Sequence, residues 1–260
     1  MKFQKFQANG NDFIMIVEDS DNVSLSEQQI RTLCDRHFGI GADGLMILRP
    51  SEAYDFEMHY YNSDGKMATM CGNGGRSIAS LAYVEGFAKE KMIFLASDGV
   101  HEAVIESEVK KGTCYDVSLK MVDVKNVEQN SEYYFLNTGV PHYVEFVDQL
   151  ESMNVVLKGR QIRHDSRFAP EGTNVNFVEL SDDRLFVRTY ERGVEDETLS
   201  CGTGVTASAM AAFLKTGRKD LEIQSRGGNF QVHFDSDGDE FVNVWLRGPA
   251  EKVFEGTIQL

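Results

Sequence analysis

Cys71-Gly72-Asn73-Gly74-Gly75-Arg76-Ser77-Ile78-Ala79-Ser80-Leu81-Ala82-Tyr83-Val84 and Cys201-Gly202-Thr203-Gly204-Val205-Thr206-Ala207-Ser208-Ala209-Met210-Ala211-Ala212-Phe213-Leu214 are two versions of one phrase. Each opens on a Cys-Gly-x-Gly turn, continues as a small-residue run of helical composition, and stops at a glycine, Gly86 in the first and Gly217 in the second. They stand 130 residues apart in a chain of 260, one in each half. A helix apolar on nearly all sides is wrapped by other structure rather than laid on a surface. The alanines and serines let a surrounding sheet approach closely.

The order of elements around each phrase repeats as well. Before the first comes the alternating strand pattern Asp55-Phe56-Glu57-Met58-His59-Tyr60 and the turn Asn62-Ser63-Asp64-Gly65. After it come Met92-Ile93-Phe94-Leu95-Ala96, a turn at Asp98-Gly99, and Ala103-Val104-Ile105. Before the second come Arg184-Leu185-Phe186-Val187-Arg188-Thr189-Tyr190 and Glu191-Arg192-Gly193. After it come Leu221-Glu222-Ile223-Gln224-Ser225, a turn at Gly227-Gly228, and Phe230 to Phe234. Strand, turn, Cys-Gly-x-Gly, helix and hairpin thus occur twice in order, which is an internal repeat of elements rather than of residues. The expected fold class is α+β, with mostly antiparallel strands and one principal helix in each half. An amphipathic stretch near Leu25–His37 predicts an additional surface helix capped by Ser24 or Ser26.

A thiol at a helix N-terminus sits against unpaired backbone N–H groups and the positive end of the dipole, which stabilise its thiolate. The same N–H groups bind carboxylates. A single Cys-Gly pair is better read as a small buried hydrophobe. Two matched copies point instead to a two-fold site, in which one small molecule lies between opposed sulfurs and a proton leaves one face of a carbon and returns to the other. Other patterns fail on context. Gly39-Ile40-Gly41-Ala42-Asp43-Gly44 fits the dinucleotide fingerprint by letter, but it follows a helix and precedes a strand, the reverse of the required order. Gly72-Asn73-Gly74-Gly75 lacks the Gly-Lys-Ser/Thr of a nucleotide phosphate loop, and Asp235-Ser236-Asp237-Gly238-Asp239 misplaces its glycine for an EF-hand. No Gly-x-Ser-x-Gly elbow is present. None of the four cysteines lies in a Cys-x-x-Cys pair, so no metal site is expected.

Composition excludes further classes. The hydrophobic fraction of 42% and charged fraction of 26% are those of a globular protein. With 41 acidic against 26 basic residues the formal charge is −15, so a phosphate backbone or anionic membrane is repelled and neither is an expected partner. Met1-Lys2-Phe3-Gln4-Lys5-Phe6-Gln7 has no apolar core for a signal peptide, and four thiols do not make a disulfide scaffold. The expectation is a cytoplasmic protein with reduced cysteines.

Gly10-Asn11-Asp12-Phe13, Cys71 to Arg76, Pro141-His142, Tyr190-Glu191-Arg192-Gly193 and Cys201 to Gly204, in this order over the whole chain, resemble diaminopimelate epimerase. The resemblance implies a cofactor-independent amino-acid epimerase and a homodimer. It further implies two pseudo-symmetric lobes, each a curled sheet around a central helix, with the active site in the cleft between them. The first lobe would comprise residues 1–120 plus about 253–260 and carry Cys71; the second would comprise 121–252 and carry Cys201. Carried over by position, Cys71 and Cys201 become the acid/base pair. Gly72, Asn73, Gly202 and Thr203 would hold the reacting carboxylate of a diamino dicarboxylate substrate. Asn11, Asn62, Asn174 and Arg192 would contact the rest of it, while His142 and Glu191 would help set the protonation of the thiols. Three positions depart from the pattern: Val140 before Pro141-His142, Gly44 where some members have glutamine, and a longer loop from Glu191 to Cys201. A proline or hydroxyproline racemase is the nearest alternative; Asn73 and Glu191-Arg192-Gly193 fit it less well. A phenazine-type isomerase would lack the cysteine pair. A non-catalytic amino-acid-binding protein on the same scaffold would have no need to keep both thiols.

Overall fold

The computed structural model describes residues 1–18, 23–219 and 221–259. The chain divides into two compact units, Met1–Leu119 with Gly248–Leu260, and Lys120–Arg247. Its elements in order are β1 (Lys2–Ala8), β2 (Asn11–Val17), α1 (Glu27–Cys34), β3 (Gly44–Arg49), β4 (Phe56–Asn62), α2 (Gly72–Val84), β5 (Lys91–Ala96), β6 (Gly99–Lys110) and β7 (Cys114–Lys120). Then follow β8 (Glu128–Gln129), β9 (Tyr134–Asn137), β10 (Pro141–Phe146), α3 (Val155–Arg163), β11 (Asn174–Leu180), β12 (Arg184–Glu191), β13 (Asp196–Thr198), α4 (Gly202–Thr216), β14 (Glu222–Ser225), β15 (Gly228–Asp237) and β16 (Glu240–Thr257). The architecture is α+β, with sheet dominating and one central helix in each unit. Among the described residues no helix is long and apolar enough to cross a membrane.

In the first unit the strands close on themselves. Pairing runs β1–β2–β3–β4–β5–β6–β7–β16 and returns from β16 to β1. The steps β2–β3 and β4–β5 are parallel and need crossovers, which α1 and α2 supply. Every residue of α2 from Gly72 to Ala82 is buried, as a helix packed within the closed sheet requires. Phe13, Ile14, Met15 and Ile16 of β2 are buried in an unbroken run because both faces are covered. Ile14 and Ile16 join Ile30 and Leu33 of α1, while α2 packs on the inner side. Ser26 caps α1 and exchanges hydrogen bonds with Gln29, a capping box.

In the second unit the order is β16–β15–β14–β12–β11–β10–β9–β8, with β13 folded back onto β12. Here α4 packs on one face against β9, β10, β11, β12, β14 and β15. The opposite face of β11 and β12 is covered by α3, through Val155, Ile162, Phe177 and Tyr190. The repeat is deeper than the two phrases predict. β1-β2-α1-β3-β4-α2-β5-β6-β7 and β9-β10-α3-β11-β12-α4-β14-β15-β16 match element for element, including both parallel crossovers. Helix α3 has no counterpart in the expectations drawn from sequence. The return to the first unit also comes earlier than the point near 253, because Gly248, Pro249, Ala250 and Glu251 already pair with β7.

Candidate active site

The repeat brings the sequence-predicted residues to equivalent places in the two units. In the first, register pairs Phe13 with Gly44 and Gly44 with Asn62. The start of β2 (Asn11) and the end of β4 (Asn62) therefore lie at one end of the sheet. In the second, His142 is opposite Asn174 and Val175 opposite Tyr190, which gathers His142, Asn174, Glu191 and Arg192 at one end.

Each thiol is the N-cap residue of its central helix, Cys71 of α2 and Cys201 of α4, both with extended backbone. The Gly74 N–H donates to Cys71 Sγ at 3.2 Å. The pattern Cys-Gly-x-Gly has a steric cause. A Cβ on Gly74 would lie 3.1 Å from Cys71 Sγ, and one on Gly204 would lie 3.3 Å from Cys201 Sγ. In both turns the sulfur lies close over the third residue of the helix, but a side chain there would first meet another group, Met46 Cε in the first turn and Asn176 Oδ1 in the second, each 2.3 Å from the added Cβ.

Around Cys71 the polar side chains form a chain of contacts. Asn11 Oδ1 is 3.9 Å from Cys71 Sγ and accepts from Asn73 Nδ2 at 3.5 Å. The Asn11 amide is aimed by Asp43, whose carboxylate accepts from Asn11 Nδ2 at 2.7 Å. Behind it, Asp12 pairs with Lys5 and Arg36 at 2.8 Å each, and Arg36 also pairs with Asp43 at 2.8 Å. Burial works to raise the Asp12 carboxyl, but Arg36 and Lys5 outweigh it and hold it down to about 2. Sequence reading reached Asn11 and Asp12 and missed Arg36, which fell at the end of the expected helix but lies just beyond α1, and Asp43, whose stretch showed only the glycine pattern. Gly44 packs against the Tyr60 ring, which fills the space a longer side chain would need.

Arg76 is wholly buried one turn into α2. It donates to Gly72 O at 3.2 Å, Asn73 Oδ1 at 2.9 Å and Asn9 Oδ1 at 2.7 Å. Burial pulls its guanidinium down to about 10, against the opposing influence of Cys71 and Asp116, so it stays charged at neutral pH. The equivalent residue of α4 is Thr206, whose hydroxyl donates to Gly202 O at 2.9 Å. The same carbonyl is thus bonded in both helices, by a cation in one and a neutral group in the other.

Around Cys201, Sγ is 3.4 Å from Thr203 Oγ1, and the Thr203 carbonyl accepts from Thr138 Oγ1 at 2.9 Å. Asn174 uses its amide inside the protein: Nδ2 donates to Pro141 O at 3.1 Å and Oδ1 accepts from the Arg192 N–H at 2.9 Å. It therefore holds β10 to the turn that presents Arg192. The Arg192 side chain reaches Glu171 O at 3.4 Å. Glu191 and Arg192 are half-buried, and the loop beyond them returns as β13, paired with β12. His142 is fully buried, and burial with the nearby Arg192 charge lowers its pKa to about 3. Asn176, two residues beyond Asn174, donates to Tyr143 O at 2.9 Å and lies 3.1 Å from His142 Nδ1.

A cavity of about 310 Å³ lined by Leu150, Glu179, Phe186, Arg188 and Arg226 lies on the α3 face of β12, not the α4 face that bears Cys201. Among the described residues no group of His, Cys, Asp and Glu could hold a metal ion.

Comparison with known proteins gives a consistent result. The family model described as diaminopimelate epimerase matches residues 3–122 and 134–253. A protein from Flavobacterium psychrophilum named diaminopimelate epimerase is 46% identical over 267 residues, covering 99% of this chain and 100% of that protein. One of the same name from Aquifex aeolicus is 39% identical, covering 99% and 98%. Among solved structures, a Bacillus anthracis phenazine biosynthesis protein of the PhzF family superposes with a TM-score of 0.76 at 15% identity, over 100% of this chain and 99% of the other. An Agrobacterium vitis hydroxyproline epimerase gives 0.67 at 16% identity, over 98% and 91%. At such identities the solved structures establish a shared fold.

Proposed function

Since the chain belongs to the diaminopimelate epimerase family, we propose that it interconverts LL- and meso-2,6-diaminopimelate by moving the proton on one α-carbon, a step in making lysine and peptidoglycan precursors. One cysteine acts as thiolate and takes the proton; the other acts as thiol and gives one to the opposite face. The roles exchange with the direction of reaction. The observation that carries this reading is the duplicated placement of Cys71 and Cys201, each the N-cap residue of a central helix with its sulfur close to the glycine three residues on.

The α-proton of an amino acid is weakly acidic, and nothing in this reading calls on a cofactor to take up the electrons. The charge that develops as the proton leaves is met by fixed dipoles: the first N–H groups of α2 and α4, at Gly72, Asn73, Gly202 and Thr203, bind the reacting carboxylate. The thiolate of Cys71 is supported by the Gly74 N–H and by the buried cation Arg76. Arg192 binds the distal carboxylate, aided by Asn11, Asn62 and Asn174; a cation suits that task in a chain of net charge −15. His142 and Glu191 act on the protonation of the thiols. The protein works in the cytoplasm as a homodimer, a state that light scattering coupled to size exclusion would test.

The deciding experiment follows exchange of the substrate α-proton in deuterated water with diaminopimelate and proline side by side. Exchange and epimerisation of diaminopimelate alone is the expected result. Turnover of proline in its place would move the chain to the racemase reading, and binding without exchange would make it a binding protein.

A further inference from the structure

The amide of Asn176 settles which nitrogen of His142 carries the proton. Both side chains are fully buried. Asn176 Nδ2 is 2.9 Å from the Tyr143 carbonyl, which can only accept, while Asn176 Oδ1 accepts from the Thr189 hydroxyl at 2.9 Å. These two bonds fix the amide orientation and exclude the flipped one. The same Nδ2 lies 3.1 Å from His142 Nδ1. An amide nitrogen only donates, so His142 Nδ1 must accept and the ring proton must sit on Nε2. An imidazolium would set two N–H groups against each other in a fully buried space. Asn176 cannot turn away, because α4 closes over it: a Cβ on Gly204 would lie 2.3 Å from Asn176 Oδ1. At the far side of the ring, His142 Nε2 is buried and has no hydrogen-bond partner among the described residues. A buried N–H left in this way costs about 1–3 kcal/mol unless something accepts it.

We propose that Asn176 is a positioning residue that locks His142 as the neutral Nε2–H tautomer, so that His142 serves the reaction as a fixed N–H donor to an electron-rich acceptor and not as a base. Its lone basic nitrogen is already occupied by Asn176, and the ring has no second one to offer a thiol. Burial and Arg192 act in the same direction by keeping the ring neutral. The catalytic part of this inference rests on the epimerase reading; the tautomer does not.

The tautomer is read on the wild-type protein, by long-range 1H–15N correlation of 15N-histidine-labelled chain, with His142 assigned by the signals missing from His142→Gln. The expected result is a pyridine-type Nδ1 and a protonated Nε2, unchanged between pH 6 and 8. A protonated Nδ1, or an imidazolium in that range, would overturn the assignment. His142→Gln tests the role: its amide offers an N–H at the Nε2 position with no basic nitrogen. Epimerisation within about tenfold of wild type supports a donor, whereas a loss of about 1,000-fold, the size expected for removal of a general base, overturns it. Asn176→Asp, whose carboxylate accepts from Nδ1–H, should swap the tautomer and lower kcat about 100-fold. Thr189→Val, which releases Asn176 Oδ1 without adding charge, should produce a smaller fall in kcat with KM held and a mixed tautomer signal. If diaminopimelate fails to exchange its α-proton in any form of the protein, the function is wrong and the tautomer measurement still stands.

Discussion

At the residue scale, the proposed chemistry rests on the two sulfurs and the groups at the sheet ends. Cys71→Ala and Cys201→Ala should each lower epimerisation about 1,000-fold or more, because one face of the carbon then has no proton donor or acceptor; full turnover by either variant defeats the two-thiol scheme. Arg192→Leu should weaken a substrate bearing a distal carboxylate by about 10- to 100-fold in kcat/KM while leaving alkylation of the cysteines unchanged. Equal loss on a substrate without that carboxylate would remove the assignment. His142 gives a pH prediction whose sign follows from its burial. Its pKa lies near 3 in the folded chain and near 6.5 in an unfolded one, so below pH 6.5 the unfolded state binds the extra proton. Stability should therefore fall by up to about 1.4 kcal/mol per pH unit between 6.5 and 3 from this group alone. Urea unfolding of wild type and His142→Gln over that range should show a shallower slope in the variant. At this scale sequence was a partial guide. The cysteines were legible because they came twice. Asn176 was passed over, although Asn174 and Asn176 occupy alternate positions within a run of buried strand residues. Two amides on one face of such a strand need partners, and that was the available signal.

At the element scale, the helices that hold the thiols were readable from composition, and their small residues match a helix packed within sheet. Helix α3 was not. Its sequence, Val155-Val156-Leu157-Lys158-Gly159-Arg160-Gln161-Ile162-Arg163, places a glycine at the centre and β-branched residues at the start, both poor for an isolated helix. Packing overrides propensity there: a Cβ on Gly159 would lie 2.4 Å from Tyr190 Cβ, so the glycine is what lets α3 lie on β12. The hairpin β12–β13 depends on a feature that composition could not show. Arg188 and Glu197 pair through two bonds of 2.7 Å with side-chain exposures of only 8% and 12%, and Arg188 also donates to the carbonyls of Leu150, Glu151 and Met153. Removing the carboxylate leaves a buried guanidinium without its counter-charge. Glu197→Ala should cost about 3 kcal/mol in denaturant unfolding. A loss below about 0.5 kcal/mol would mean that the pair behaves as an ordinary surface contact.

At the scale of the whole molecule, the order of elements was legible from two short phrases, while the return of the chain's last residues to the first unit was expected only through the family resemblance, since strand pairing between residues far apart in sequence leaves no local pattern. Residues Gly248–Thr257 of β16 pair with β7 and β1 and so complete the ring around α2. A chain ending at Arg247 should leave the second unit folded and the first one open. The single tryptophan, Trp245, lies in the second unit and bonds Asn243 Oδ1 at 3.0 Å, so its fluorescence reports that unit alone. The expected outcome is near-native Trp245 emission with rapid hydrogen exchange of the α2 amides. Protected α2 amides in the shortened chain would show that the seam is dispensable.

The same seam sets a schedule for biosynthesis. The segment that becomes the first unit leaves the ribosome early, yet the strand that seals it is made only after the whole of the second unit. At roughly 5–20 residues per second, its β1 and β7 edges wait on the order of ten seconds for their partner. Over that interval they present unpaired backbone, the template on which neighbouring nascent chains mispair. The cell's exposure to misassembly of this protein is thus fixed by translation speed over its second half, and slower codons there would lengthen it.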